Sequence, residues 1–181
     1  MAHKQQIDFC QKIKNLHQNY FSNKRVLDVG SLDVNGNNRY LFDNCEYTGI
    51  DIGNGKNVDI VCKGHEHSAP DEYYDFIIST ECFEHDMHYK KTLQNIIRML
   101  KPGGMFLFTC ATTGREEHGT RRMHTWTAPL LSQHGEEWSD YYKNLTEEDI
   151  FEVFNPDHVF SEYSFETNNI SCDLYFYGVK K

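Results

Sequence analysis

No apolar run in this 181-residue chain is long enough to cross a bilayer, and the N-terminus has no signal-peptide-like hydrophobic core. These absences exclude a helical membrane span, leave no membrane partner to expect, and point to the cytoplasm. Positive charge is also scarce. Eighteen Lys and Arg stand against 27 Asp and Glu, a net charge of -9. That balance argues against nucleic acid as the main partner, because phosphate binding needs Lys and Arg to release counterions. The six cysteines (Cys10, Cys45, Cys62, Cys82, Cys110 and Cys172) contain no Cys-x-x-Cys pair and read as reduced core thiols, not as a disulfide framework. There is no internal repeat and no low-complexity segment. Gly-x-Gly-x-x-Gly is missing, so the loop that cradles a dinucleotide pyrophosphate is missing too, and a nicotinamide dehydrogenase is disfavoured.

What is present suits one soluble α/β domain spanning 1–181, with 39% hydrophobic and 25% charged residues. Residues 3–21, within an N-terminal segment 1–24, read as an amphipathic helix with Phe9, Ile13, Leu16 and Tyr20 on one stripe. Arg25–Val29, Tyr47–Asp51, Val58–Cys62, Tyr74–Ser79 and Met105–Thr109 read as strands. Asn37–Phe42 reads as helical. A helix over Met87–Leu100 carries Leu93, Ile96, Ile97 and Leu100 and stops at Lys101-Pro102-Gly103-Gly104. Thr146 and Asp149 form a capping-box pattern opening a helix through Phe154, and Val159–Phe165 and Asp173–Val179 alternate like a closing strand pair. Alternating strands and helices predict a mostly parallel, doubly wound sheet. Residues 111–143 break that rhythm, and so long a polar stretch reads as a binding segment or lid.

The informative stretch runs Arg25-Val-Leu-Asp-Val-Gly-Ser-Leu-Asp-Val-Asn-Gly36. A strand enters Asp28-x-Gly30, where glycine permits a tight turn and close ligand approach. Asp28, Ser31 and Asp33 suit a ligand bearing an ammonium group. Some twenty residues on, Tyr47-Thr-Gly-Ile-Asp51 ends a strand with an acid able to accept both hydroxyls of a ribose. Tyr74-Asp-Phe-Ile-Ile-Ser-Thr-Glu-Cys-Phe-Glu-His85 and Leu100-Lys-Pro-Gly-Gly-Met-Phe-Leu-Phe108 complete the series. Together these resemble the ordered motifs of class I S-adenosylmethionine (SAM)-dependent methyltransferases over roughly residues 25–110. The resemblance implies a Rossmann-like, mostly parallel seven-stranded sheet with helices on both faces, and SAM as cofactor. It implies cofactor contacts at Asp28, Gly30, Ser31, Asn35, Gly36, Asp51, Ile52, Gly64, His65, Thr80, Glu81 and Cys82. Asp28 and Gly30 would face the methionine part, Asp51 the ribose, and the backbone near Thr80 and Glu81 the amino end. Two positions depart from the family: Leu32 replaces its second glycine, with Gly36 as substitute, and Lys63 stands where many relatives bind adenine through an acid. Backbone near Gly64 and His65 is the substitute there.

Methyl transfer depends mainly on positioning the acceptor, and a hydroxyl acceptor gains from a general base or a metal. The run Thr112-Thr-Gly-Arg-Glu-Glu-His-Gly-Thr-Arg-Arg122 offers His118 as base, with Glu116 or Glu117 orienting it, and His85 is a further catalytic candidate. His65-Glu-His67 and His85-Asp-Met-His88 have some zinc-like character, but a Mg or Mn ion held by carboxylates near the acceptor fits better. Trp126, Trp138, Tyr141 and Tyr142 are candidates for an aromatic wall against a sugar ring. The run also weakly resembles small glycan methyltransferases. The expected reaction is therefore methyl transfer from SAM to a hydroxyl of a small polar acceptor, a sugar or glycan favoured. Amine or carboxylate methylation and a non-catalytic SAM-binding module are the rivals.

Overall fold

The computed structural model describes residues 3–181; residues 1 and 2, the start of the segment 1–24, lie outside the described residues. Seven strands share one sheet: β1 (Arg25–Val29), β2 (Glu46–Asp51), β3 (Ile60–Val61), β4 (Tyr74–Thr80), β5 (Leu100–Ala111), β6 (Phe160–Asn168) and β7 (Asp173–Lys180). Their order is β3-β2-β1-β4-β5-β7-β6. β1 to β5 pair in parallel, whereas β7 runs antiparallel to both β5 and β6.

The register explains why central strands read as continuous apolar runs. Val26 aligns with Phe76, Phe76 with Met105, and Met105 with Val179. This row meets the first helix, α1 (Lys4–Leu16), through Phe9, Cys10 and Ile13. One residue along, Leu27, Ile77 and Phe106 point to the opposite face. There they pack under Leu93 and Ile96 of α2 (Tyr89–Met99) and Ile150 of α4 (Glu147–Phe151). Both faces are covered, so both side-chain sets are apolar. Two short helices, α3 (Glu136–Ser139) and α5 (Pro156–Val159), complete the chain. The capping box at Thr146 and Asp149 is present, and all six cysteines are unpaired.

Several expected bounds shift. The first helix ends at Leu16, and Gln18–Tyr20 forms a separate 3-10 turn. Its buried stripe is Gln6, Phe9, Cys10 and Ile13, whereas Leu16 points to solvent. The expected helix at Asn37–Phe42 is only a 3-10 turn at Arg39–Leu41. Asn37 and Asn38 spend their amides on Asp33 and Asp28, the local competition that keeps Asn out of helices. Leu100 begins β5 instead of ending α2, and Lys101–Gly104 bulges where the register jumps from Tyr74/Leu100 to Phe76/Met105.

Candidate cofactor site

β1 leads toward β2 and β3 on one side, and β4 toward β5 on the other, so the strand order reverses between β1 and β4. Loops leaving the carboxyl ends at such a reversal diverge and open a crevice. A cavity of about 370 Å³ lies there, walled by the ends of β1, β2 and β4, by α1 and by residues 127–131. That volume lies in the range of small-molecule sites.

Gly30 makes the first turn possible. Its φ is +79° and a Cβ there would collide with the Cys82 side chain, so shape and space both demand glycine. Gly36 carries the loop's second positive φ, +147°, and Leu32 instead packs where Gly55 leaves room. Asp28 is buried, accepting from Tyr47 Oη at 2.6 Å and Asn38 Nδ2 at 3.3 Å. Burial pushes its carboxyl up to about 6 against the pull of these donors. Asp51 accepts the Leu32 N–H at 3.0 Å through Oδ2 and its neighbour Ile52's N–H at 2.8 Å through Oδ1. Burial raises this carboxyl as well. Each Asp51 oxygen retains a second lone pair, the geometry two vicinal hydroxyls require.

Of the twelve residues expected to hold a cofactor, eleven line this cavity: Asp28, Gly30, Ser31, Asn35, Gly36, Asp51, Ile52, Gly64, Thr80, Glu81 and Cys82. His65 does not; its ring turns toward His88, 4.5 Å away. Asp33 also turns away, held by Lys56 at 2.7 Å and by the Gly36 N–H. Glu81 adopts a left-handed φ of +53°. Its carboxylate takes the Thr109 hydroxyl at 2.9 Å and faces the His3 ring at 3.5 Å. Among the described residues, four carboxylate residues line the cavity (Asp28, Asp51, Glu81 and Asp86) and no Lys or Arg does. Such a wall attracts a cation and repels a pyrophosphate.

The sequence pointed to the 111–143 segment and to Trp138, but not to Pro129, Leu130 and Leu131. These four residues line the cavity together with Ile52, Cys62 and Gly64. The segment is no free lid. Its ends are joined by the Leu145 N–H to Ala111 carbonyl bond at 2.9 Å and by the Thr112 hydroxyl on the Leu145 carbonyl. Its four named aromatic residues do not form one wall. Trp138 lines the cavity, Tyr142 packs on His85 and His118, and Trp126 lies against His124 in solvent.

The catalytic candidates also divide. His85 lines the cavity, whereas His118 sits behind it, the two rings 5.0 Å apart. Glu117 does not orient His118; it takes the Thr120 hydroxyl at 2.6 Å and pairs with Arg122. The His118 Nδ1 instead meets the Glu116 backbone carbonyl at 3.1 Å. Burial holds His85 and His118 below the ordinary imidazole range and lifts Glu84 to about 8. The zinc-like pairs do not assemble. His67 bonds to Tyr74 Oη at 2.9 Å, away from His65, and His88 leaves His85 to pack on Trp138.

Comparison with known proteins settles the family. The model of a family described as a methyltransferase domain matches residues 1–154. The chain belongs to this methyltransferase family. Its fold is that of class I SAM-dependent methyltransferases. One curated relative, a tRNA (carboxymethyluridine(34)-5-O)-methyltransferase of Arabidopsis thaliana, is 31% identical over 126 residues. That match covers 62% of this chain but 30% of the relative, so the chain spans under a third of it. Among solved structures, the 1,6-didemethyltoxoflavin-N1-methyltransferase of Burkholderia thailandensis, with S-adenosylhomocysteine bound, superposes with a TM-score of 0.65 at 15% identity. The match covers 97% of this chain and 78% of that one. Phosphoethanolamine N-methyltransferase 2 of Haemonchus contortus, in complex with SAM, matches with TM-score 0.65 and 15% identity over 96% of this chain and 52% of that one.

Proposed function

We propose that this methyltransferase domain binds SAM in the cavity and transfers its methyl group to an oxygen of a small polar acceptor, a sugar or glycan hydroxyl being favoured. The observation that carries the reading is the cavity wall, which among the described residues has four carboxylates and no Lys or Arg. SAM carries an ammonium and a sulfonium and no phosphate, and this wall matches that pattern. Asp51 accepts the ribose hydroxyls, Asp28 and the backbone at Thr80–Cys82 face the amino-acid end, and Leu130 and Trp138 cover the base in place of an acid at Lys63. His85 is the titratable ring nearest the acceptor end.

Oxygen as the methylated atom is supported by the Arabidopsis relative, whose name places the methyl group on oxygen. That name also supplies a second reading, a carboxymethyluridine of tRNA as acceptor. The net charge of -9 weighs against a nucleic-acid acceptor for this chain alone. No helix among the described residues is long and apolar enough to cross a membrane, and the cytoplasm is the proposed site of action.

Mass spectrometry of sugars, glycans, small amines, carboxylates and tRNA incubated with the chain and SAM tests the reading. The expected result is a one-methylene mass gain on a hydroxyl compound. Gain only on amines overturns the oxygen assignment; gain only on tRNA selects the second reading. SAM binding with no turnover across the panel makes the chain a non-catalytic module.

A further inference from the structure

Glu84, His85 and His118 form a buried cluster that neither the core nor the cofactor contacts explain. Their exposures are 0%, 7% and 8%. Glu84 and His85 lie on the 3-10 turn after β4, and His118 descends onto them from the 111–143 segment. The approach requires Gly119, where a Cβ would sit 2.7 Å from the His85 Cε1. Each of the three offers one ligand atom, and these atoms all lie within 4.8 Å of one another.

The decisive feature is what these atoms lack. Among the described residues, both Glu84 oxygens, the His85 Nδ1 and the His118 Nε2 are buried without a hydrogen-bond partner. Buried polar atoms are ordinarily paired, and a buried carboxyl group left without a partner is costly in either protonation state. His118 is also fixed in tautomer. Its Nδ1 faces a backbone carbonyl at 3.1 Å, an obligate acceptor, so Nδ1 carries the hydrogen and Nε2 presents a lone pair. This Nε2 lies 4.0 Å from the Glu84 Oε1. The gap is too long for a shared proton. A cation with bonds of about 2.1 Å to each atom spans it with little movement. A ring nitrogen held by a backbone carbonyl while the other points inward is the usual outer support of a metal-binding histidine. Among the described residues no Lys or Arg lies within ion-pair distance of Glu84.

We propose that Glu84, His85 and His118 bind one divalent first-row transition ion. Two imidazoles and one carboxylate favour Mn²⁺, Fe²⁺ or Zn²⁺ over Mg²⁺, which prefers oxygen alone. The expectation was a Mg or Mn ion held by carboxylates; the proposed set keeps Mn²⁺ but mixes one carboxylate with two imidazoles, and His118 becomes a ligand in place of a base. Three protein ligands leave positions open, and one of the three, His85, lines the cavity. The ion's role, though not its binding, rests on the methyl-transfer reading above. An acceptor hydroxyl on the ion becomes more acidic and loses its proton to water. Its oxygen then forms the bond to the methyl carbon as the carbon–sulfur bond breaks, and the electron pair stays on sulfur to leave S-adenosylhomocysteine.

The test is calorimetry on the full chain, stripped with EDTA, titrated with MnCl₂ and separately with ZnCl₂ in the absence of SAM. One site per chain is expected, and Glu84→Gln and His118→Gln should each weaken it by about 100-fold or more. Electron paramagnetic resonance of the Mn²⁺ complex should show nitrogen coupling that diminishes in His118→Gln. SAM titrated into the same variants should bind within about threefold of the parent, since neither residue lines the cavity. If Glu84→Gln fails to fold, His118→Gln on the outer segment carries the same test. No metal binding, or binding unchanged by both substitutions, overturns the site while SAM affinity still upholds the methyltransferase reading. Metal binding without SAM binding upholds the site and defeats that reading.

Discussion

Gly30 and Asp28 show how single positions shape the cavity. At Gly30 an alanine meets a left-handed backbone and the Cys82 side chain together. Gly30→Ala is expected to cost about 2 to 4 kcal/mol in denaturant unfolding, with SAM affinity lost in whatever remains folded. Asp28 pulls the other way, because it is held where a carboxylate is unwelcome. Its folded value of about 6 lies above the ordinary 3.8. Between those values the folded protein keeps a proton that the unfolded chain has released. Stability attributable to Asp28 is therefore greatest below about pH 4 and lost as pH rises through 6, by about 3 kcal/mol. Unfolding curves from pH 4 to 7 should show this slope in the parent relative to Asp28→Asn; parallel curves would remove Asp28 as its source. A bound ammonium group favours the charged form, so SAM affinity should rise over the same interval.

At the scale of elements, the helix α1 does more than cover the sheet. Its N-cap, His3, reaches Asp173 at 3.0 Å and Glu81 at 3.5 Å, tying the N-terminal segment to the edge of the cofactor site. Burial alone would lower the His3 ring, but the neighbouring Asp173 and Glu81 carboxylates outweigh it and raise the ring to about 9. Its Nδ1 lies 3.2 Å from the Gln5 Oε1 and 3.4 Å from the Gln6 N–H; charged, it donates to Gln5, and neutral, it accepts from Gln6. The tie contributes fully below about pH 6.5 and fades as pH rises through 9. The side chain is 21% exposed, so about 1 to 2 kcal/mol is expected after solvent screening. His3→Ala should then differ from the parent at pH 6 and converge with it above pH 9. This tie was not legible in the sequence, because it joins residues far apart along the chain. Strands such as Tyr74–Thr80 were legible, since burial on both faces writes an unbroken apolar run. The loop after β1 was misread as leading to a helix because Asn37 and Asn38 carry no periodic signal, and their amide contacts appear only in three dimensions.

Across the whole molecule, the reversal of strand order between β1 and β4 brings Asp28, Asp51 and Glu81 to one rim. Local motifs disclosed these residues because each sits where a strand ends, and strand ends are visible in sequence. Of the covering wall, Trp138 was singled out only as a sugar-facing aromatic residue and Leu130 and Leu131 were not disclosed, since a segment without period gives no direction to its side chains. The same holds for the convergence of Glu84, His85 and His118. The central claim concerns the acid-lined cavity, and a crystal structure with S-adenosylhomocysteine bound tests it most directly. The account predicts the ribose hydroxyls within about 3 Å of the Asp51 carboxylate, the amino group at the Asp28 side and the base beneath Leu130 and Trp138. Ligand density elsewhere on the protein, with the Asp28 and Asp51 rim left empty, would contradict it.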